Sequence, residues 1–202
     1  PRVAFKWKPT DNDIIRLNFG TGFRVVNIFT EDHQALSGSR DVILTQNLKP
    51  ETSYNVNLNY LRKLYLDNYN IFNIEFSSWY THFTNKIFAD YDTNPNQIIY
   101  NNLNGYSRMF GISSNIDWIS PFGVKATIGA SYYNPLTKQN NQKFTPLFTE
   151  NFSLNWNVNY EIPSRYLSLD YTGNLTGKMR LPLLGELDPR KEYSLPYSIQ
   201  NI

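Results

Sequence analysis

Asn151-Phe152-Ser153-Leu154-Asn155-Trp156-Asn157-Val158-Asn159-Tyr160 places an apolar side chain at every even position and a small polar one at every odd position. Successive side chains of an extended strand point to opposite faces, so this run builds one greasy face and one amide-rich face. At this composition such a match arises by chance roughly once in a thousand starting points.

The pattern recurs along the chain. Ser53 to Tyr60 sets Tyr54, Val56, Leu58 and Tyr60 against Ser53, Asn55, Asn57 and Asn59. Val124 to Tyr132 does the same with Val124, Ala126, Ile128, Ala130 and Tyr132, and Arg2 to Lys8 turns Val3, Phe5 and Trp7 one way. Weaker copies occupy Ile14 to Phe19, Phe72 to Tyr80, Gly111 to Trp118 and Tyr166 to Thr172, with a truncated one at Tyr197 to Ile202. Together they predict about nine strands.

The links between these segments alternate strictly between short and long. Pro9 to Asp13, Leu66 to Asn70, Ile119 to Gly123 and Ile162 to Arg165 are short, and they carry turn chemistry such as Asp11-Asn12-Asp13, Asp67-Asn68 and Pro121-Phe122-Gly123. Thr21 to Pro50, Thr84 to Leu103, Asn134 to Thr149 and Asn174 to Leu195 are long. Tight turns at one rim and large loops at the other are the signature of an all-β, antiparallel, up-and-down transmembrane β-barrel. Nine strands leave unpaired edges in lipid, so the chain is expected to be a partial wall completed by residues outside it.

Composition agrees with a barrel and excludes several other classes. No run approaches the roughly eighteen apolar residues of a membrane helix, while a barrel wall needs only every second residue apolar, which keeps mean hydropathy low. The 19 basic and 17 acidic residues nearly cancel, which argues against a nucleic-acid partner. Cysteine is absent and there are two histidines, so thiol chemistry and most metal sites fall away. The polar rows favour Asn over Lys and Glu, as suits a wet lumen and a plug surface better than a solvated outer face. Aromatics near strand ends, namely Trp7, Tyr65, Trp118, Tyr132, Tyr160 and Tyr171, are candidates for the girdles at the membrane interfaces.

Several segments also resemble a known family. Pro1-Arg2-Val3-Ala4-Phe5-Lys6-Trp7-Lys8-Pro9 followed by Ile15-Arg16-Leu17-Asn18-Phe19-Gly20-Thr21-Gly22-Phe23-Arg24, then Asn47-Leu48-Lys49-Pro50-Glu51, Asp170-Tyr171-Thr172-Gly173 and Met179-Arg180-Leu181-Pro182, resemble the C-terminal barrel of TonB-dependent receptors. The likeness is to the set common in the Bacteroidetes lineage, and it covers essentially the whole chain. The resemblance implies that residues 1–202 are a fragment of that barrel, without the plug and the final strand. It implies residence in the outer membrane of a Gram-negative bacterium, among its lipids, and uptake of a scarce nutrient energised by TonB through the plug. The ligand would be a ferric siderophore, haem, cobalamin, another metal chelate or an oligosaccharide, with a surface lipoprotein as a further partner; no catalysis and no cofactor are implied. Family membership does not choose among the ligands.

Individual site candidates are sparse. Arg24 and Arg180 stand where strands meet large loops and could hold a carboxylate or phosphate, although a structural place in the barrel rim or a plug contact is the favoured reading of Arg24. Glu31, Asp32 and His33 in the longest loop offer ligand-type side chains, but adjacent residues rarely converge on one ion, so no metal site is expected. Asp90, Asp92 and Asp188 read as turn formers, and no set of nucleophile, base and orienting group emerges. The rival readings are a secreted β-sandwich that binds glycans through Trp and Tyr, and a passive porin or barrel enzyme of the same membrane. The first predicts a soluble monomer, and the second would lack the Gly-Phe-Arg and Leu-Lys-Pro-Glu segments.

Overall fold

Two-residue alternation becomes a two-faced sheet in the computed structural model, which describes residues 1–25, 40–44, 48–66, 69–90, 93–94, 96–140, 142–162, 167–182 and 189–202. Among the described residues every regular element is a strand. The wall runs in chain order through β1 (Arg2–Trp7), β2 (Asp13–Arg24), β4 (Glu51–Tyr65), β5 (Ile71–Thr84), β8 (Gly105–Ile119), β9 (Val124–Gln139), β11 (Phe152–Ile162), β12 (Leu167–Thr176) and β13 (Tyr197–Asn201). All of these neighbours pair antiparallel, and the sheet is open. Each alternating segment read from the sequence falls on one of these strands over most of its described residues, in the expected order.

Register assigns the faces. One hydrogen-bonded row runs Trp7, Ile15, Tyr60, Phe76, Ser114, Ala130, Leu154, Leu175. The row beside it on the opposite face runs Lys6, Arg16, Asn59, Ser77, Ser113, Ser131, Ser153, Thr176. The apolar face stays exposed, with Phe5 at 58% and Ile128 at 53% of full accessibility.

The boundary between charged and apolar residues crosses these rows at a slant. In a single outward row Asp13 and Arg62 on β2 and β4 give way to Ile74, Ile116, Ile128 and Trp156 on β5, β8, β9 and β11. The apolar limit therefore shifts toward the turns as the wall advances. Strands tilted to the bilayer normal produce this shift, because a hydrogen-bonded row then lies oblique to the membrane plane.

Strands extend further into the long links than alternation indicates. β9 runs through Asn134 and Pro135, a pair that reads as a loop signal, and then pairs with β10 (Gln142–Phe144) as a hairpin. Tyr133 donates its amide to Asn151 on the β11 side, and Pro135 has the same phase. Paired residues of β11 end at Phe152 opposite Tyr132, so the missing N–H of Pro135 faces a position where no ladder bond is needed. β13 pairs one step out of phase: Ser198 stands opposite outward Leu175, and Ile199 opposite inward Asn174. Tyr171 Oη holds this register by donating to Gln200 Oε1 at 2.8 Å.

A second, small sheet forms from two of the long links. β3 (Asp41–Leu44) pairs parallel with β7 (Gln97–Asn102), which pairs antiparallel with β6 (Ile87–Asp90). Among the described residues the buried large apolar side chains are Ile98, Tyr100 and Leu103, all in this region. Val42, Leu48, Ile87 and Ala89 pack against Ile98 and Tyr100. The wall has no such core of its own. The chain exposes 13656 Å², against about 9,800 Å² from the surface scaling of closed globular proteins of this mass.

Candidate functional site

Small and amide side chains dominate the inward rows, and they are cross-linked between strands. Arg16 Nη1 donates to Asn59 Oδ1 at 3.0 Å, and Asn59 Nδ2 donates in turn to Glu75 and to Ser77 Oγ. Thr81 donates to Asn55 at 2.8 Å, Thr127 to Asp117 at 2.9 Å, and Asn159 to Asp170 at 2.7 Å. Lys125 pairs with Glu161 at 2.7 Å. Such ladders satisfy each other laterally and still present hydroxyls and amides to whatever lies against the polar face.

At the loop rim this inward face is covered. Glu51, Ser107 and Thr137 share its phase and are buried, at 4%, 3% and 3% exposure. Ser107 and Thr137 hydroxyls lie 3.1 Å apart. Glu51 takes three donors: Arg24 Nε at 2.9 Å and Nη2 at 2.7 Å on Oε2, and the Ile87 amide at 2.8 Å on Oε1. The last bond ties the start of β6 to the wall. Asn102 closes a second clasp, accepting from the Lys49 amide at 2.7 Å and donating to the carbonyls of Lys49 and Asn85 at 3.0 and 2.8 Å.

Lys86 sits between these clasps. Burial pushes its ammonium below the ordinary lysine pKa; Glu51 opposes that shift and Arg24 adds to it. Its Nζ lies 5.3 Å from the centre of the Phe83 ring.

Three adjoining cavities occupy this rim. One of about 220 Å³ is lined chiefly by Phe88, Leu103, Phe144 and Phe148, with Lys86 and Arg180 as its cations. A more polar one of about 490 Å³ shares Phe88, Phe144 and Arg180 and adds Asp90, Gln139, Gln142 and Lys143. The third, about 400 Å³, lies over Gly22, Arg24, Glu51, Ser53 and Phe83 and meets the first at Lys86. Phe88 and Phe144 rings stand 5.2 Å apart, joining β6 to β10.

The sequence candidates distribute unevenly over this geometry. Arg24 is engaged by Glu51. Arg180 borders two cavities, pairs with Glu192 at 2.9 Å and makes backbone bridges to Leu147 and Tyr193. Glu31, Asp32 and His33 lie outside the described residues, as do Asp92 and Asp188. Asp90 accepts from the Thr93 amide at 2.9 Å and from its hydroxyl, as a turn former does. Among the described residues no group of three metal-ligand side chains converges.

Of the interface candidates, Trp7, Trp118, Tyr132, Tyr160 and Tyr171 share the outward phase. Trp118 stacks on Phe72 at 6.2 Å and donates to Asn70 Oδ1 at 2.9 Å. Tyr65 pairs with Ile71 in the inward phase, so the apolar-face argument does not extend to it. Tyr54 and Tyr80 also share the outward phase on the loop half of their strands. Glu51, Lys86 and Asn102 were missed as site residues because their partners come from distant links.

Comparison with known proteins follows the same geometry. The model of a family described as "TonB dependent receptor-like, beta-barrel" matches residues 1–192. The FrpB iron transporter from Neisseria meningitidis superposes with a TM-score of 0.69 at 12% identity, over 99% of this chain and 31% of that one. The pyoverdine outer membrane receptor FpvA from Pseudomonas aeruginosa, bound to pyoverdine, gives 0.69 at 16% identity, over 99% and 28%. The copper transporter OprC gives 0.70 at 12% identity, over 98% and 29%. The chain thus spans under a third of the length of these solved proteins, and at such identities they speak for the fold alone. No curated protein sequence matches the chain.

Proposed function

This chain belongs to the TonB dependent receptor-like, β-barrel family, and from that premise we propose that it is a stretch of the transmembrane wall of an outer-membrane receptor that imports a scarce nutrient with energy relayed by TonB. The observation that carries the reading is the covering of the inward face, among the described residues, at the loop rim. Loops lean over a polar surface there and enclose cavities, while the opposite rim has tight turns. A receptor mouth needs that asymmetry, because ligand arrives from one side.

The cavity chemistry favours a ligand with an apolar or aromatic body and anionic groups. Phe88, Phe144 and Phe148 supply the surface, and Lys86 and Arg180 supply positive charge in a partly dehydrated setting. A ferric siderophore or another anionic metal chelate meets this description better than an oligosaccharide. TonB would act through a plug seated against the inward amide and hydroxyl rows.

A secreted β-sandwich would need a second sheet against the apolar face. Among the described residues the small sheet packs at the loop rim, and the outward side chains of the wall stay open.

The test uses the full-length parent protein in its native host. Outer-membrane fractionation with faster gel migration before boiling than after supports the barrel, and loss of growth on iron-limited medium when the gene is deleted supports chelate uptake. A protein fully soluble without detergent contradicts the reading; normal growth under iron limitation, with a defect on another scarce nutrient, contradicts the chelate class alone.

A further inference from the structure

Charge on the outward face is arranged differently at the two rims. At the turn rim Asp13 and Arg62 face outward as cross-strand partners, 3.9 Å apart, so the cation there has its own anion. At the loop rim the outward phase carries His82 on β5, Arg108 on β8, Lys138 on β9 and Lys143 on β10, and the acidic residues of these strands, Glu75 and Asp117, lie in the inward phase. Register sets His82 opposite Arg108, and Lys138 between Tyr106 and Lys143. Among the described residues no carboxylate pairs with Arg108, Lys138 or Lys143.

The patch adjoins the greasy surface directly. Tyr80 and Phe110, one outward step nearer the middle of the strands, are 39% and 42% exposed. His82 lies 5.6 Å from the Tyr106 ring, nearly parallel to it, a flat platform beside the two long cations. Cations at such a boundary are costly in hydrocarbon and favourable at the level of anionic headgroups. Arg108 and Lys138 are diagonal neighbours across β8 and β9, a spacing of about 7–8 Å that is somewhat less at the Cβ atoms, and their side chains are long enough to close on one phosphate from both sides.

We propose that Arg108 and Lys138, flanked by His82 and Lys143, form a site on the outer wall for the phosphorylated headgroup of a lipid in the leaflet nearest the loops. The acyl chains would lie along Tyr80, Phe110 and Ile112, which continue the outward surface below the cations. Charge complementarity identifies the occupant: three cationic side chains that no carboxylate among the described residues pairs, at the edge of an apolar surface. The site is separate from the ligand cavities, apart from Lys143, which borders the larger polar one.

The inference rests on the membrane reading above, and one experiment separates the two. Full-length receptor purified in mild detergent is mixed with phosphatidic acid or with phosphatidylcholine, and retained lipid is counted by native mass spectrometry. Preferential retention of phosphatidic acid is expected, reduced roughly tenfold or more in an Arg108→Gln/Lys138→Gln variant that still shows heat-modifiable migration. Arg108→Lys should keep most of the retention and serves if the double variant fails to fold. Equal retention of both lipids, unchanged retention in the folded double variant, or displacement of the lipid by millimolar inorganic phosphate would overturn the site. A protein that never enters the membrane fraction sinks the membrane reading itself; a barrel without lipid preference sinks only this one.

Discussion

The indole of Trp79 lies flat against Gly111 on the adjacent strand, so closely that a Cβ placed on the glycine would meet the ring's Cζ2 at 2.2 Å. Trp156 covers Gly173 in the same way on the other face, at 2.3 Å. A wall without a core of its own thus uses glycine to let a large ring fill the surface of the neighbouring strand. Gly111→Val should lower barrel stability by about 1–3 kcal/mol through overpacking, read as a shift in the urea midpoint of the refolded full-length protein. Trp79→Ala in the same chain should recover part of that loss, since it removes the clash.

The Glu51 carboxylate is the fastening between wall and loop sheet. Glu51→Ala leaves the Ile87 amide and the Arg24 guanidinium without their acceptor, a cost of about 1–3 kcal/mol. The effect should be local, with faster amide exchange across β6 and β7 and little change in β11 and β12. Uniform change across the wall would mean that Glu51 supports the barrel as a whole.

Asn102 both accepts and donates within its clasp. Asn102→Asp keeps the acceptor and loses both donated bonds, so β7 amides should exchange faster than in the parent by about tenfold for each 1.4 kcal/mol lost. Ligand affinity should fall with the same variant, because the cavities are bounded by the elements it joins.

Lys86 gives a pH dependence of definite sign. Its pKa is lowered in the folded cap, so the folded state holds the proton less tightly than the unfolded one. The resulting penalty is fully present below the folded pKa and disappears as pH rises to the ordinary lysine value of 10.5. Lys86→Met should therefore slow proteolysis of the β6–β7 segment at pH 7, and the difference from the parent should shrink as pH is raised into the alkaline range.

The wall was legible because its strands up to β12 repeat one rule, apolar out and polar in, which Asn151 to Tyr160 states without a break; β13, paired one step out of phase, departs from it. Its extent toward the loops was less legible. Asn134-Pro135 carries a loop signal by composition, and only the ending of β11 beside it explains why a proline stands in a strand. The small sheet was invisible for a different reason: β3 pairs parallel with β7 across a long sequence separation, and four residues of Asp41-Val42-Ile43-Leu44 do not announce a partner. Arg24 and Arg180 could be picked out as rim residues. Their engagement by Glu51 and Glu192 depends on segments that meet only in three dimensions.

The central claim is that the even-numbered side chains of Asn151 to Tyr160 face lipid while the odd-numbered ones face a polar interior. The chain contains no cysteine, so spin labels can be placed singly at positions 154 to 159 of the full-length protein, once any cysteines elsewhere are replaced, and their exposure to oxygen and to a water-soluble nickel complex compared in bilayers. The account predicts a period of two, with labels at Leu154, Trp156 and Val158 reached by oxygen and shielded from nickel, and the reverse bias at Asn155, Asn157 and Asn159. Equal access of nickel to both sets would contradict it and return the sheet to a water-soluble fold.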